Sequence, residues 1–182
     1  MKKTIAFLLS AMLFMTTASA AYGAKYTDLK SGNWAYEAVN VMSDQAILKG
    51  YPDGSFKPGN TVTCGEFIKM ALIAATGGDA GNSAEGNWAL NYYSKALELK
   101  YFTEYDIAKE DLNSKITRAH MALIISSILG DTKIDNYDEI QKGITDITYK
   151  TPYEYDITKA YAMGILTGYT DKTFRPDKTL TR

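Results

Sequence analysis

One stretch of the sequence occurs twice, and it decides how the rest of the chain is divided. GYPDGSFKPGNTVTCGE runs from Gly50 to Glu66, and GYTDKTFRPDKTLTR runs from Gly168 to Arg182. The shift of 118 residues that places Gly168 on Gly50 also places Asp146 on Asp28. A self-similarity with a fixed offset is typical of repeat architectures, so we expect the chain to be built from related units.

A shift of 54 residues reveals a third, more divergent copy between these two. It places Gly-Asn-Trp-Ala at 86–89 on the same letters at 32–35, and it places Thr117 on Thr63. The sequence therefore predicts three repeats. They cover residues 25–78, 79–130 (divergent) and 131–182, the last without a second helix.

The first half of each copy has the spacing of an amphipathic helix. Apolar residues recur three or four positions apart, which predicts one buried face. Asn33 can cap the first of these helices, and Gly50 is expected to end it. The predicted faces are Trp34, Ala38, Val41 and Met42; Trp88, Tyr92, Lys95, Ala96 and Leu99; and Tyr153, Ile157, Ala160, Tyr161 and Met163.

The second half of each copy predicts a turn, an apolar plug and a second helix. Phe56 and Phe174 follow the turn residues and are expected to fold the loop against the core. Thr63 with Glu66 three residues later has the arrangement of a capping box, and Thr117 opens the corresponding helix of the middle copy. A single helix pair buries too little surface alone, so we expect an all-α, mainly helical fold. In it, three helix-loop-helix units pack as a pseudo-threefold bundle with short loops.

The first twenty residues have the pattern of a secretory signal peptide. Two lysines precede an apolar run and an Ala-x-Ala ending, so cleavage is expected after Ala20. The apolar run is too short to span a bilayer, and no membrane span is expected after cleavage. Without these residues the chain has 18 basic and 21 acidic side chains, a net charge of −3, which argues against a nucleic-acid partner.

The sequence has few residues suited to catalysis. Cys64 is the one cysteine, so an internal disulfide is excluded, and we interpret it as an inert residue at a helix start. His120 is the one histidine and has no nucleophile at a recognisable spacing. Metal-ligand spacing is lacking too. We therefore expect a protein that is not an enzyme and needs no cofactor or metal.

The combined motifs resemble the S-layer homology domain. Its pattern has an aspartate near the start, a tryptophan, a G-Y-P-D-G-x-F-x-P loop and a T-R-A-E helix start; Asp28, Trp34, the loop from Gly50 and Thr63 match it in this order. The resemblance implies a secreted, calcium-independent anchor on the cell surface or cell wall, in an S-layer. Its partner would be a cell-wall polysaccharide or secondary cell-wall polymer, often pyruvylated, held in grooves between repeats.

The resemblance also implies which residues bind the polysaccharide. Carried over by position, they are Arg118, Arg182, Trp34, Trp88, Asp28 and Asp146. The first copy departs from the pattern, because Cys64-Gly65 replaces Arg-Ala. The second lacks the G-Y-P-D-G loop, and the third has Pro152-Tyr153 at the tryptophan position. Only the groove with Arg118 is therefore expected to be fully competent.

Each of these residues also has a structural interpretation. Arg118 stands at a helix start, where a cation does not favour the helix but, beside free N–H groups, can receive a carboxylate or phosphate. Its alternative is a solvated side chain. The tryptophans are either core anchors or sugar-stacking platforms, and the aspartates can cap turns. Lys57 and Arg175, at matching loop positions, are either further cations near the groove or solvated charges.

Two other functions remain open from the sequence. The same bundle could assemble with copies of itself into a structural S-layer lattice. It could also be the anchor part of a longer exported enzyme, such as a glycan hydrolase.

Overall fold

The computed structural model describes residues 25–182, and the predicted signal peptide lies outside this range. The described residues are mainly helical and contain no strand, which confirms the predicted fold class. None of their helices is both long and apolar enough to cross a membrane. The helices are α1 (Tyr36–Asp44), α2 (Cys64–Thr76), α3 (Leu90–Glu98), a 3-10 helix (Lys109–Asn113), α4 (Arg118–Leu129), α5 (Tyr137–Lys142) and α6 (Glu154–Ala162).

The described residues form two compact units, 25–58 and 59–182. The predicted pseudo-threefold bundle and the three repeat boundaries extend over both units and stay predictions.

The first unit packs α1 and its following loop around Phe56. This ring is 2% exposed, as expected for a plug, and it shares a buried cluster with Leu29, Tyr36 and Val39. The predicted face of α1 is wrong, because Trp34 is 94% exposed. Trp34 lies outside the helix, in the turn that precedes α1. In this turn the side chain of Asn33 accepts a hydrogen bond from the N–H of Ala35.

Helices α1, α3 and α6, one in each predicted copy, end in the same way. Ala46, Lys100 and Gly164 occupy equivalent positions and have φ values of 58°, 59° and 69°. The next residue then donates its N–H to a carbonyl five residues earlier, a Schellman closure. These bonds are Ile47 to Met42 at 2.9 Å, Tyr101 to Ala96 at 3.0 Å and Ile165 to Ala160 at 3.1 Å.

Gly50 does not end α1, contrary to the prediction. It lies where the loop doubles back, and Tyr51 next to it donates to the carbonyl of Ser55 at 2.8 Å. A Cβ at position 50 would lie 2.3 Å from the ring of Tyr26 and 2.7 Å from that carbonyl. Close approach is therefore the reason for glycine here.

The second unit pairs helices from successive predicted copies. The second helix of the first copy, α2, packs against α3, and α4 of the middle copy packs against α6. The predicted capping box is confirmed at α2, where Thr63 and Glu66 exchange bonds. Both of these helix pairs cross a predicted repeat boundary, which links the copies through their cores.

Three short extended segments join in a closed ring within the second unit. Thr63 bridges to Lys115, Thr117 to Thr179 and Thr181 to Thr61, so each segment contacts both others. Val62 and Ile116, at the centres of two of them, are buried. The ring fixes the starts of α2 and α4 relative to the loop of the third copy.

Candidate functional site

The two predicted ligand aspartates hold the repeated loops. Asp28 accepts from the N–H groups of Phe56 and Lys57, both at 2.7 Å. Asp146 accepts from those of Phe174 at 2.6 Å and Arg175 at 2.7 Å. The bond from Phe56 is the main cause that lowers the pKa of Asp28. In both residues the two carboxylate oxygens are engaged with backbone, as in the turn-capping alternative.

The tip of the third-copy loop is held by Asp171. It accepts from the N–H and hydroxyl of Thr173 at 3.0 and 2.5 Å, and it pairs with Arg175 at 2.8 Å. The bond from the Thr173 hydroxyl is the first cause that lowers the pKa of Asp171 to about 2. The loop is therefore a preformed surface, held by two carboxylates.

Arg118 is buried, so its alternative as a solvated side chain is wrong. The residue is 6% exposed. Its Nε donates to the carbonyl of Phe174 at 2.7 Å, and its Nη2 donates to that of Thr167 at 2.6 Å. No carboxylate within residues 25–182 forms an ion pair with it. Burial lowers its pKa, yet an arginine stays charged.

The expected free N–H groups at the start of α4 are occupied. The N–H of Arg118 bonds the carbonyl of Lys178 and that of Ala119 bonds the carbonyl of Pro176, both at 2.9 Å. The N–H of His120 bonds the Thr117 hydroxyl at 3.2 Å. The third-copy loop fills the position that the sequence suggested for an anion, so the helix start itself is not the receptor.

Beside this junction, three cations surround one aromatic ring. The guanidinium of Arg175 lies 4.1 Å from the centroid of Tyr169, the ammonium of Lys178 lies 4.9 Å from it, and Arg118 lies 5.4 Å from it. Sequence reasoning noted Arg175 as a cation near the groove but missed Tyr169 and Lys178. The repeated Gly-Tyr pair was the available signal for Tyr169.

Arg182, at the position equivalent to Arg118, has a different environment. Its Nη1 lies 2.8 Å from a carboxylate oxygen of Glu66, whose other oxygen caps α2 at Thr63. Arg182 is therefore part of an ion pair at the ring of bridges, and its charge is largely offset.

The two tryptophans also differ. Trp88 is half-buried, with an edge contact to Tyr92 at 6.1 Å between centroids and the ammonium of Lys69 5.6 Å from its ring. Trp34 lies in the first unit with its ring open to solvent. The second unit brings together Arg118 and Asp146, which meet through Phe174, whereas Asp28 and Trp34 belong to the first unit.

The residues considered for catalysis are packed into the fold. Burial raises the pKa of the Cys64 thiol to about 11, so the reactive thiolate is disfavoured. His120 packs edge-on against Tyr153, and burial lowers its pKa. Within residues 25–182, no group of three or more histidine, cysteine or acidic side chains is placed to hold a metal.

A cleft of about 470 Å³ lies between α2 and α3. It is lined by Leu72, Thr76, Gly78, Asp79, Ala80, Asn91, Ser94, Lys95 and Glu98. None of the six predicted polysaccharide-binding residues lines it.

Comparison with known protein families identifies the two segments that contain the repeated loops. The model of the S-layer homology domain matches residues 25–68 and 143–182, the two segments that contain the clamping aspartates and their loops. Both segments belong to the S-layer homology family. The sequence resemblance is therefore confirmed, and the protein is a secreted one of the cell surface or cell wall.

Relatives of this S-layer homology protein are much longer. A middle cell wall protein of Brevibacillus brevis is 34% identical over 140 residues, 77% of this chain and 12% of the relative. A cellulosome-anchoring protein of Acetivibrio thermocellus is 30% identical over 147 residues, 75% of this chain and 33% of the relative. An endoglucanase of Bacillus sp. is 24% identical over 175 residues, 92% of this chain and 18% of the relative.

Proposed function

We propose that this chain is a non-catalytic anchoring module that binds an acidic cell-wall polysaccharide. The observation that carries the proposal is a buried arginine, Arg118, that forms no direct ion pair within residues 25–182 and lies beside further cations around Tyr169. Burying a charge is costly. For Arg118 the cost is offset by the two carbonyl bonds, by the Phe174 ring 4.2 Å from the guanidinium and by the nearby Asp146 carboxylate, none of which is a direct ion pair. An anionic group bound at this loop would add negative charge beside these cations.

A polysaccharide is the ligand best matched to these surroundings. Tyr169 offers a partly exposed ring beside the cations, and aromatic rings provide apolar area with a polar edge. A carboxylate, such as that of a pyruvate ketal on a secondary wall polymer, would accept charge-assisted hydrogen bonds from the cations. The family and a relative named as cellulosome-anchoring support attachment to the cell surface.

The other predicted site residues have different roles in this proposal: some shape the loops and some would contact the sugar. Asp28 and Asp146 shape the loops, and Arg182 shares its charge with Glu66. Trp34 and Trp88 would add sugar contacts, Trp34 through its solvent-exposed ring. Binding through the remaining grooves is therefore expected to be weaker than at the loop beside Arg118.

Sedimentation with wall sacculi tests the proposal. The protein is mixed with sacculi of the source bacterium, either intact or stripped of secondary polymer by hydrofluoric acid, and the pelleted fraction is measured. We expect pelleting with intact sacculi and its loss with stripped sacculi. Equal pelleting with both would contradict polysaccharide binding, and assembly without any wall material would instead favour a self-assembling lattice.

A second candidate is that the chain anchors a longer exported enzyme. The endoglucanase relative favours it, because 92% of this chain matches only 18% of that enzyme. The whole protein would then act on a glycan while these residues hold it at the wall. The test is glycan hydrolysis by the product of the complete gene compared with residues 25–182, which should be inactive.

A further inference from the structure

Three equivalent backbone hydrogen bonds form the junctions between copies. Each joins the residue after a capping threonine to the loop of another copy. In each, the residue after the capping threonine of one copy donates its N–H to a carbonyl three residues before the equivalent threonine of another copy. The pairs are Cys64 to Ser114 at 2.9 Å, Arg118 to Lys178 at 2.9 Å and Arg182 to Asn60 at 2.8 Å. Of the three, the second alone combines two basic residues.

Lys178 is the most available cation at this junction. Its side chain is exposed, with the ammonium 4.9 Å from the centroid of Tyr169. No ion pair holds it within residues 25–182. Arg175 lies on the same ring at 4.1 Å and is exposed too, but it shares its charge with Asp171 at 2.8 Å.

Arg118 is poorly placed for direct contact with a ligand. Only 6% of the residue is exposed, and two of its nitrogens bond the carbonyls of Phe174 and Thr167. Turning toward a ligand would break both bonds. Those same bonds hold the loop that carries Tyr169 and Arg175, so the arginine determines where the exposed cations lie.

None of the acids around the junction forms a direct ion pair with Lys178 within residues 25–182. Asp146 is engaged by two backbone N–H groups, and Asp171 is paired with Arg175. Asp177 precedes Lys178 and is exposed, but it forms no ion pair with it. An incoming anion would meet Lys178 first and Arg175 second.

We infer that Lys178 is the ligand-contacting cation of this site, assisted by Arg175 and Tyr169, and that Arg118 is a positioning residue. The recognised chemistry is a carboxylate or phosphate group on the wall polymer. The inference rests on the proposed function and deepens it, because it assigns the contact to a residue outside the family's helix-start motif.

Sedimentation with intact sacculi at low ionic strength tests the assignment. Lys178→Met should weaken binding about 3- to 10-fold, the range between an exposed ion pair and a hydrogen bond to a charged group, with an unchanged melting temperature. Lys178→Arg should keep most of the binding. The control is Lys133→Met, since that lysine is also exposed but follows the opposite end of α4, about 18 Å away for a helix of twelve residues.

Salt dependence separates contact from positioning. Exposed charges are screened by added salt, whereas buried ones are screened much less. Lys178→Met should bind with a shallower dependence on salt than the unchanged protein. Arg118→Ala should lower both affinity and melting temperature, yet its residual binding should keep the original salt dependence.

The possible results are distinguishable. If the unchanged protein fails to pellet with intact sacculi, the proposed function is wrong. If it pellets but Lys178→Met and Lys133→Met behave alike, or Arg118→Ala alone flattens the salt dependence, the assignment to Lys178 is wrong. Mild acid hydrolysis of ketals identifies the anion: lost binding indicates a carboxylate, and retained binding that still depends on Lys178 indicates phosphate.

Discussion

Arginine 118 illustrates why a residue's position in a motif does not reveal its task. The sequence predicted a cation at a helix start, where a positive charge does not favour the helix. In the fold its guanidinium instead ties together α4 and the third-copy loop through two backbone carbonyls. This role depends on a contact with Phe174, 56 residues further along the chain. A local sequence pattern cannot predict such a contact.

Trp34 and Trp88 provide a matched pair at the same repeat position. Trp88→Ala should lower the free energy of unfolding by about 2 kcal/mol, less than the ~3 to 5 kcal/mol of a fully buried aromatic, because the ring is half-buried. Trp34→Ala should change it by less than about 0.5 kcal/mol, because its ring is exposed. Urea denaturation of both variants checks this, and equal losses would contradict the difference in packing.

Acid should weaken the third-copy loop at Asp171. Its pKa in the fold, about 2, lies below the usual 3.8, so the carboxylate stabilises the fold above about pH 3.8. That contribution is lost as the pH falls toward 2. Melting temperatures between pH 2 and 6 should therefore fall less steeply below pH 4 in Asp171→Asn, which should already be less stable at pH 6.

His120 provides the control for this acid profile. Burial lowers its pKa below the usual 6.5, so the neutral ring is favoured and stability starts to fall once the pH drops below about 6.5. His120→Gln should flatten the profile in that higher window alone. A single transition shared by both variants would contradict separate titrations.

At the scale of the elements, the cost of the positive φ values that follow α1, α3 and α6 can be measured. Lys100→Gly should raise the free energy of unfolding by about 1 kcal/mol, since a side chain at φ 59° is strained and glycine is not. Gly164→Ala, at φ 69°, should lower it by a similar amount. Thermal or urea unfolding measures both, and destabilisation by Lys100→Gly would show that the lysine side chain matters more than its backbone.

The cap at the start of α2 was predictable, whereas the end of α1 and the partners of the helices were not. The capping box at Thr63 and the plug Phe56 depend on residues close in sequence, which local physics can identify. The face of α1 was wrong because the helix begins after Trp34. Pairing of α2 with α3 and of α4 with α6 depends on tertiary packing between copies, which periodicity does not specify.

At the scale of the molecule, the candidate site was only partly predictable. The repeat pointed to Arg118 and Asp146, and the structure places both against the same loop. Tyr169 and Lys178 were missed, because their importance arises from three cations converging on one ring. The cations converge because the ring of bridges pairs Thr117 with Thr179, which places Arg118 beside Lys178.

The central claim is that the loop held by Arg118 binds an anionic wall polymer. The most direct test is an amide NMR titration of residues 25–182 with polymer released from the wall of the source bacterium. We expect the largest shift changes at residues 167–178 and the first turn of α4, and their reduction in Lys178→Met. Shift changes confined to other parts of the chain, such as the cleft between α2 and α3, would contradict the account.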